Sequence, residues 1–155
     1  MKQFKNKVVV ITGAGSGMGR AYALEFAKLG AKIAISDIDT HGLKETQEQM
    51  QTLPHGGIYS EQLDMGQKDA IFSFAKNVKQ ALGNAHIIIN NAGVGGGGVP
   101  TWSMAPEQYE RTMRINYFGV VYGTQAFLPQ LLQNNEGAIV NVSSIFGLVG
   151  TPDSS

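Results

Sequence analysis

Short apolar runs alternate with helical segments along these 155 residues, and this alternation constrains the fold more than any other feature. The runs have the length and β-branched composition of buried strands. The sequence predicts strands at 8–11, 32–36, 58–63, 87–89 and 138–142, and helices at 18–29, 40–51, 67–82 and from Pro106 to about Leu132. Because each parallel crossover needs a helix that returns across a sheet face, this order predicts an α/β fold with a doubly wound parallel sheet.

We expect a Rossmann-type sheet with the strand order 3-2-1-4-5 that ends after strand five. The length is that of one compact domain, so residues 1–155 are interpreted as a single domain. The low-complexity patch Gly95–Gly98 falls in the loop after the fourth strand. A linker and a mobile wall of a ligand cleft both fit this position, and the sequence leaves the two open.

Composition excludes several classes of function. Twelve basic and twelve acidic residues cancel without forming a charged stripe, so we expect neither a nucleic-acid nor a membrane partner. The chain contains no cysteine, and its three histidines lack the spacing of metal ligands, so no metal site is expected. No apolar run approaches the length needed to cross a bilayer, and we interpret the protein as cytoplasmic.

The turn between the first strand and the first helix reads Thr12-Gly13-Ala14-Gly15-Ser16-Gly17-Met18-Gly19. It lies where a pyrophosphate can meet free backbone N–H groups at a helix N-terminus. Gly13 permits the turn, Gly17 lets the backbone approach the phosphates, and Gly19 lets the helix pack closely on the sheet. Ser16 and Met18 lie between these glycines, and we expect the whole turn to bind a dinucleotide.

Asp37 predicts the choice of cofactor. It ends the second strand 18 residues after Gly19, close to the interval of about 20 residues at which an acidic side chain reaches the adenosine ribose. A carboxylate accepts hydrogen bonds from a free diol but repels the 2′-phosphate of NADP, so NAD is expected to be preferred. Asp39 is an alternative for this role, and Arg20 would weaken the rejection of NADP.

The spacing of Gly13, Gly17 and Gly19 after a threonine resembles that of the short-chain dehydrogenase/reductase family. The resemblance covers the whole chain and continues in three further places, which are Asn90-Asn91-Ala92-Gly93, Asn116, and Ile139-Val140-Asn141-Val142-Ser143-Ser144. It implies an NAD(P)-binding domain of an oxidoreductase that transfers a hydride between NAD and a small secondary alcohol or ketone. It also implies that the complete protein is a homo-dimer or homo-tetramer.

The resemblance further implies cofactor contacts at two other strand ends. Asp64 and Met65, after the third strand, match the pair that contacts the adenine ring in the family. After the fourth strand, Asn90 is implied to brace the sheet below the nicotinamide, and Ala92 and Gly93 belong to the same cofactor-binding motif.

Two catalytic residues are implied as well. Ser144 would hydrogen-bond the substrate oxygen, and Asn116 would hold a water that links the family's catalytic lysine to solvent. The tyrosine of the family's Tyr-x-x-x-Lys pair would fall just after Ser155. Four earlier tyrosines are candidates for this role, and none is followed by a lysine four residues later; they are Tyr59, Tyr109, Tyr117 and Tyr122. We therefore expect the N-terminal portion of such an enzyme, with a catalytically inert dinucleotide-binding fragment as the alternative.

Overall fold

Five parallel strands form one sheet in the computed structural model, which describes residues 3–95 and 99–149. The strands are β1 (Val8–Thr12), β2 (Lys32–Asp37), β3 (Gly57–Gln62), β4 (Ile87–Asn90) and β5 (Ala138–Asn141). Their order is β3-β2-β1-β4-β5, with every neighbouring pair parallel. The predicted Rossmann-type topology is therefore confirmed. No observed strand end differs from the predicted one by more than one residue.

Five α-helices connect these strands across the two sheet faces. They are α1 (Gly17–Lys28), α2 (Thr40–Gln51), α3 (Lys68–Leu82), α4 (Pro106–Met113) and α5 (Gly119–Gln133), with short 3-10 turns at Thr101–Ser103 and Ile145–Gly147. The predicted long helix from Pro106 to about Leu132 is present as an unbroken helical segment, but it is not α-helical throughout, because Arg114–Phe118 forms a π-helical turn between α4 and α5. A π-helical turn takes in an extra residue, which hydrophobic periodicity does not reveal.

The core lies on both faces of β1, whose five residues are all buried. Successive side chains of a strand point to opposite faces. Val8 and Val10 accordingly pack into the layer that contains Phe74 of α3 and Phe127 of α5. Val9 and Ile11 pack into the opposite layer, which contains Ala23 of α1 and Met50 of α2. This double coverage explains why β1 is a continuous apolar run rather than an alternating one.

The sheet also determines where a ligand can bind. The carboxyl ends of β1, β2 and β4 lie at one edge, with Thr12 beside Ser36 and Asn90 beside Asn141. Part of the glycine patch after β4, residues 96–98, lies outside the described residues, so its two interpretations stay open. Within the described part of the chain, no helix has the length and apolar character needed to cross a membrane.

Candidate cofactor-binding site

A cleft of ≈ 330 Å³ opens at the carboxyl ends of the central strands. Nine of the predicted cofactor-binding residues line it, which are Gly13, Ser16, Gly17, Met18, Asp37, Asp64, Met65, Ala92 and Gly93. A larger depression of ≈ 690 Å³ lies between α1 and α2 and contains none of the predicted site residues. The smaller cleft is the candidate site, because ligands of open α/β sheets bind at the carboxyl ends of the strands.

The glycine loop, residues 13–19, forms one wall of the cleft and depends on glycine at three positions. Gly13 and Gly17 have φ values of +67° and +52°, which L side chains rarely adopt. A Cβ on Gly13 would lie 2.7 Å from Ala92 Cα, whereas a Cβ on Gly17 would meet nothing within 4 Å. A Cβ on Gly19 would clash with the carbonyl oxygen of Gly13. Gly19 therefore packs inside the loop and does not line the cleft, while Gly17 faces open space.

Asn91 joins the glycine loop to the segment after β4. Its Nδ2 donates to the carbonyl oxygens of Thr12 and Gly13, each at 3.0 Å. The backbone N–H groups of Asn91 and Ala92 both donate to Thr12 Oγ1 at 3.1 Å. Asn91 also lines the cleft. The sequence prediction assigned it no role, although its place between two assigned neighbours was the available signal.

Asn90 does not line the cleft. The residue is 2% exposed, and its Nδ2 donates to Asn141 Oδ1 at 2.9 Å and to Thr124 Oγ1 at 3.3 Å. Among the described residues its Oδ1 has no hydrogen-bond partner. The side chain therefore links β4 to β5 and α5, and its predicted role below the nicotinamide stays a prediction.

Asp37 is held against the glycine loop. Its Oδ2 accepts a hydrogen bond from the Gly15 N–H at 2.7 Å, and its Oδ1 accepts one from the Asp39 N–H at 3.0 Å. Asp39 itself caps α2, because its Oδ1 accepts from the His41 N–H at 3.0 Å. Only Asp37 of these two carboxylates lines the cleft.

Arg20 points away from the cleft, towards α2. Its guanidinium donates to Glu45 Oε2 at 2.8 Å, to Thr46 Oγ1 at 2.9 Å and to the Gly42 carbonyl oxygen at 3.2 Å. It also donates to the carbonyl oxygen of Gly15. The guanidinium is engaged by these partners and does not line the cleft, and its expected effect on the rejection of NADP stays a prediction.

Asp64 and Met65 follow β3 at the far side of the cleft. Asp64 Oδ1 accepts from the Gly66 N–H at 2.8 Å, so this carboxylate stabilises a turn as well as lining the cleft. Met65 is 6% exposed, and the nearby Gly119 leaves room for it, since a Cβ there would lie 3.3 Å from Met65 Cβ. Most of the Met65 side chain therefore belongs to the core.

The two predicted catalytic residues lie outside the cleft lining. Asn116, in the π-helical segment, accepts from the Val94 N–H through Oδ1 and donates to the Val94 carbonyl oxygen through Nδ2, both at 2.8 Å. Ser144 is exposed, and its Oγ accepts from the Phe146 N–H at 3.2 Å. Both side chains can make further hydrogen bonds. The Asn116 amide retains a second lone pair on Oδ1 and a second N–H on Nδ2, and Ser144 retains its O–H as a donor.

Several lining residues were not predicted from the sequence. They are Ile38, Leu63, Asn91, Val94, Arg111 and Ile115. Ile38 and Leu63 directly follow β2 and β3, so their position at strand ends was a usable signal. Arg111 and Ile115 reach the cleft from α4 and the π-helical segment, and no local pattern marks them. No group of three His, Cys, Asp or Glu residues arranged to hold a metal occurs within residues 3–95 and 99–149.

Comparison with known proteins identifies the family. A family model described as short chain dehydrogenase matches residues 7–155. The chain belongs to this family. Its NAD(P)-binding Rossmann fold is the one predicted from the glycine loop and the strand order. SadH of Mycobacterium tuberculosis, whose name describes an oxidoreductase, is 42% identical over 155 residues, which are 100% of this chain and 55% of SadH.

Solved structures of short-chain dehydrogenases superpose closely on the chain. A short-chain dehydrogenase/reductase from Burkholderia phymatum in complex with NAD is 34% identical, with a TM-score of 0.92, over 99% of this chain and 54% of that one. A metagenomic short-chain oxidoreductase in complex with NADP is 30% identical, with a TM-score of 0.91, over 97% of this chain and 68% of that one. The chain spans about half the length of the curated relatives it matches.

Proposed function

We propose that the chain binds NAD in the cleft at the carboxyl ends of the strands. The proposal rests mainly on the open space at Gly17. Gly17 has a left-handed backbone conformation and no side chain, so nothing of this residue would stand between the loop and a pyrophosphate. The residues of the cleft fit a dinucleotide, because phosphates favour the positive end of α1 and the cleft continues past Asp37 to Asp64 and Met65. Ala92 and Gly93 would flank the nicotinamide half.

We propose that Asp37 makes NAD the preferred cofactor. Both of its oxygens already accept one backbone hydrogen bond, and each retains a lone pair for a ribose hydroxyl. The 2′-phosphate of NADP would place a second negative charge beside this carboxylate. Arg20, which directly follows the loop, is engaged by Glu45 and by the Gly15 carbonyl oxygen. Because the family includes structures with NAD and with NADP, this preference rests on Asp37 itself.

The reaction that we propose is hydride transfer between NAD and a small secondary alcohol or ketone. Bound nicotinamide supplies the hydride acceptor or donor for this chemistry. Ser144 would orient the substrate, because its Oγ accepts from the Phe146 N–H while its O–H is left to donate to a substrate oxygen. Asn116 would hold a water through the second N–H and lone pair of the amide that bonds Val94.

The alternative function is dinucleotide binding without turnover. It is favoured by the absence of any tyrosine among the described residues that line the cleft. Tyr59 is also unsuited to accept a proton, because burial and its hydrogen bond to Glu61 raise its pKa to about 12. An assay of the 155-residue chain for NADH formation with secondary alcohols distinguishes the two functions. Removing proton transfer alone is expected to lower the rate ~10²–10⁴-fold, to background.

The assembly and location of the protein are proposals of the same kind. We propose a homo-dimer or homo-tetramer. The proposal is supported by exposed apolar side chains at the end of α4 and in the π-helical segment, which are Met113, Tyr117 and Phe118. A cytoplasmic location is consistent with a chain that uses no cysteine. Light scattering during size-exclusion chromatography measures the assembly, and a monomer at all concentrations would contradict it.

Isothermal titration of the chain with NAD and with NADP tests the proposed cofactor site. We expect NAD to bind at least about tenfold more tightly, which corresponds to about 1.4 kcal/mol. Asp37→Asn keeps the size of the side chain and removes its charge, so the two affinities should converge. Asp39→Asn is the matched control, because Asp39 caps α2 outside the cleft. Equal binding of both cofactors by the unsubstituted chain would refute the role of Asp37, and binding of neither would refute the proposed function.

A further inference from the structure

We propose that Arg20 and Thr46 are positioning residues of the glycine loop: Arg20 orients the Ser16 N–H for the pyrophosphate of a bound dinucleotide, and Thr46 directs the Gly15 N–H to Asp37 and anchors the Arg20 guanidinium. The inference rests on the proposed binding of NAD. It concerns two side chains that lie outside the cleft lining and touch the loop from the side of α2. Each holds one loop carbonyl group, and each carbonyl determines the direction of the next N–H group.

Thr46 fixes the peptide group between Ala14 and Gly15. The residue is fully buried, and its Oγ1 donates to the Ala14 carbonyl oxygen at 2.8 Å, with the Gly42 carbonyl oxygen slightly farther at 3.0 Å. In a trans peptide the C=O and the following N–H point in opposite directions. Because the Ala14 carbonyl points to α2, the Gly15 N–H points away from it and meets Asp37 Oδ2 at 2.7 Å.

Arg20 fixes the next peptide group, between Gly15 and Ser16. Its Nη2 donates to the Gly15 carbonyl oxygen, and its Nε donates to Thr46 Oγ1 at 2.9 Å. By the same geometry the Ser16 N–H points away from α2. Since Ser16 lines the cleft, this N–H is directed to the side on which the pyrophosphate would lie.

Helix α2 completes the support by lying directly against the loop. A Cβ on Gly42 would lie 2.5 Å from the Gly15 carbonyl oxygen, so a side chain there would push the helix away. The Gly42 carbonyl and Glu45 Oε2 both accept from Arg20 Nη2, at 3.2 and 2.8 Å. Glu45 compensates the charge of Arg20, so the guanidinium acts by holding carbonyl groups and not by attracting phosphate from a distance.

The first test compares ligands with and without a pyrophosphate. Arg20→Met removes the guanidinium and retains much of the side-chain length. We expect NAD affinity to fall about tenfold, the effect of about one lost hydrogen bond to a charged ligand group. Adenosine, followed by ligand-observed NMR, should bind within about twofold of the unsubstituted chain, because it carries no phosphate. Lys28→Met is the matched control, since it removes a cation of the same helix that pairs with Glu25 near the surface and does not touch the glycine loop in the described structure.

A second pair of variants tests the neighbouring carbonyl and does not depend on Arg20→Met folding. Thr46→Val keeps the shape of the buried side chain and removes the hydroxyl, whereas Thr46→Ser keeps the hydroxyl. We expect Thr46→Val to lower NAD affinity about tenfold, because Arg20 Nε loses its acceptor and the guanidinium loses its hold on the Gly15 carbonyl. Thr46→Ser should restore most of the affinity.

Three results would overturn the inference alone. They are unchanged NAD affinity in Arg20→Met or Thr46→Val, an equal loss of adenosine and NAD binding in Arg20→Met, and the same loss of NAD binding in Lys28→Met. Failure of the unsubstituted chain to bind NAD would instead contradict the proposed function, and the inference would fall with it.

Discussion

β1 and β5 are short apolar strands of the same parallel sheet, yet their surroundings differ completely. All five residues of β1 are buried, whereas all four of β5 are exposed. β1 has a strand on each side and an apolar layer on each face, while β5 pairs with β4 and leaves Ile139 and Val140 37% and 43% exposed. An apolar run therefore predicts a strand, and only its neighbours determine whether it becomes core.

The same contrast separates the two parts of the proposed site. The glycine loop is bonded to side chains from three other segments, which are Asn91 after β4, Asp37 at the end of β2 and Thr46 of α2. The Ser144 side chain, three residues after β5, bonds within the described residues to the nearby Phe146 N–H alone. The cofactor-binding part of the site is thus supported by long-range contacts, and the substrate-orienting part by local ones.

The largest effect should come from a side chain placed in the proposed pyrophosphate path. Gly17→Val puts a branched side chain into the open space at the loop and should lower NAD affinity at least ~100-fold, about 2.8 kcal/mol. Gly83→Val is the matched control, because Gly83 also has a left-handed φ, +97°, and open space, but lies outside the cleft. Both variants should lose about 1–3 kcal/mol of stability through backbone strain. A folded Gly17→Val chain with unchanged NAD affinity would place the dinucleotide elsewhere.

A second pair of glycine substitutions compares the packing of the glycine loop with that of the segment after β5. A Cβ on Gly19 would clash with the Gly13 carbonyl and lie 2.6 Å from Asn91 Nδ2. Gly19→Ala should therefore lower the free energy of unfolding by about 1–3 kcal/mol in urea titrations. Gly147→Ala, beyond β5, makes only an ordinary contact at 3.5 Å with Ser143 Oγ and should stay within about 0.5 kcal/mol. Equal losses would mean that the two regions are packed alike.

The strands themselves can be compared by an isosteric substitution. Val10→Thr places a hydroxyl in a fully buried position and should cost about 1–3 kcal/mol of unfolding free energy. Val140→Thr places it at an exposed position and should cost less than about 0.5 kcal/mol. Thermal unfolding followed by circular dichroism measures both. A large loss for Val140→Thr would show that β5 is covered in solution, most simply by another chain.

The smallest effect concerns β3, the other edge of the sheet. Tyr59 packs against Phe74 of α3, and burial together with its hydrogen bond to Glu61 raises its pKa to about 12. The folded state therefore holds this proton more tightly than the unfolded state. The resulting stability is present below about pH 10 and is lost as the pH rises towards 12. Tyrosinate absorbance should show one late-titrating phenol that disappears in Tyr59→Phe, and its persistence there would refute the assignment.

Much of the fold could be predicted because its signals are local. The β-branched runs, the glycine loop and Asp37 each mark a strand, a turn or a strand end within a few residues. The π-helical segment could not be predicted, since hydrophobic periodicity does not reveal an extra residue in a turn. Its Asn116 bonds Val94, 22 residues away. Arg111 and Ile115 were missed because no local pattern shows that α4 and the π-helical segment lie beside the cleft. The roles of Arg20 and Thr46 depend on how α2 packs, which no spacing in the sequence expresses.

The most direct test of the account is an NMR titration of the ¹⁵N-labelled chain with NAD. We expect chemical-shift changes at the backbone amides of Ser16, Gly17, Met18, Ala92 and Gly93, with little change at Ala138–Asn141. The amide signals of Thr12 and Asp37 should shift as well, because Asp37 is bonded to Gly15 of the loop and Thr12 to Asn91 beside it. Saturable shifts confined to this edge of the sheet would support the cleft as the NAD site. Shifts centred on β5, or on the depression between α1 and α2 with none in the glycine loop, would contradict it.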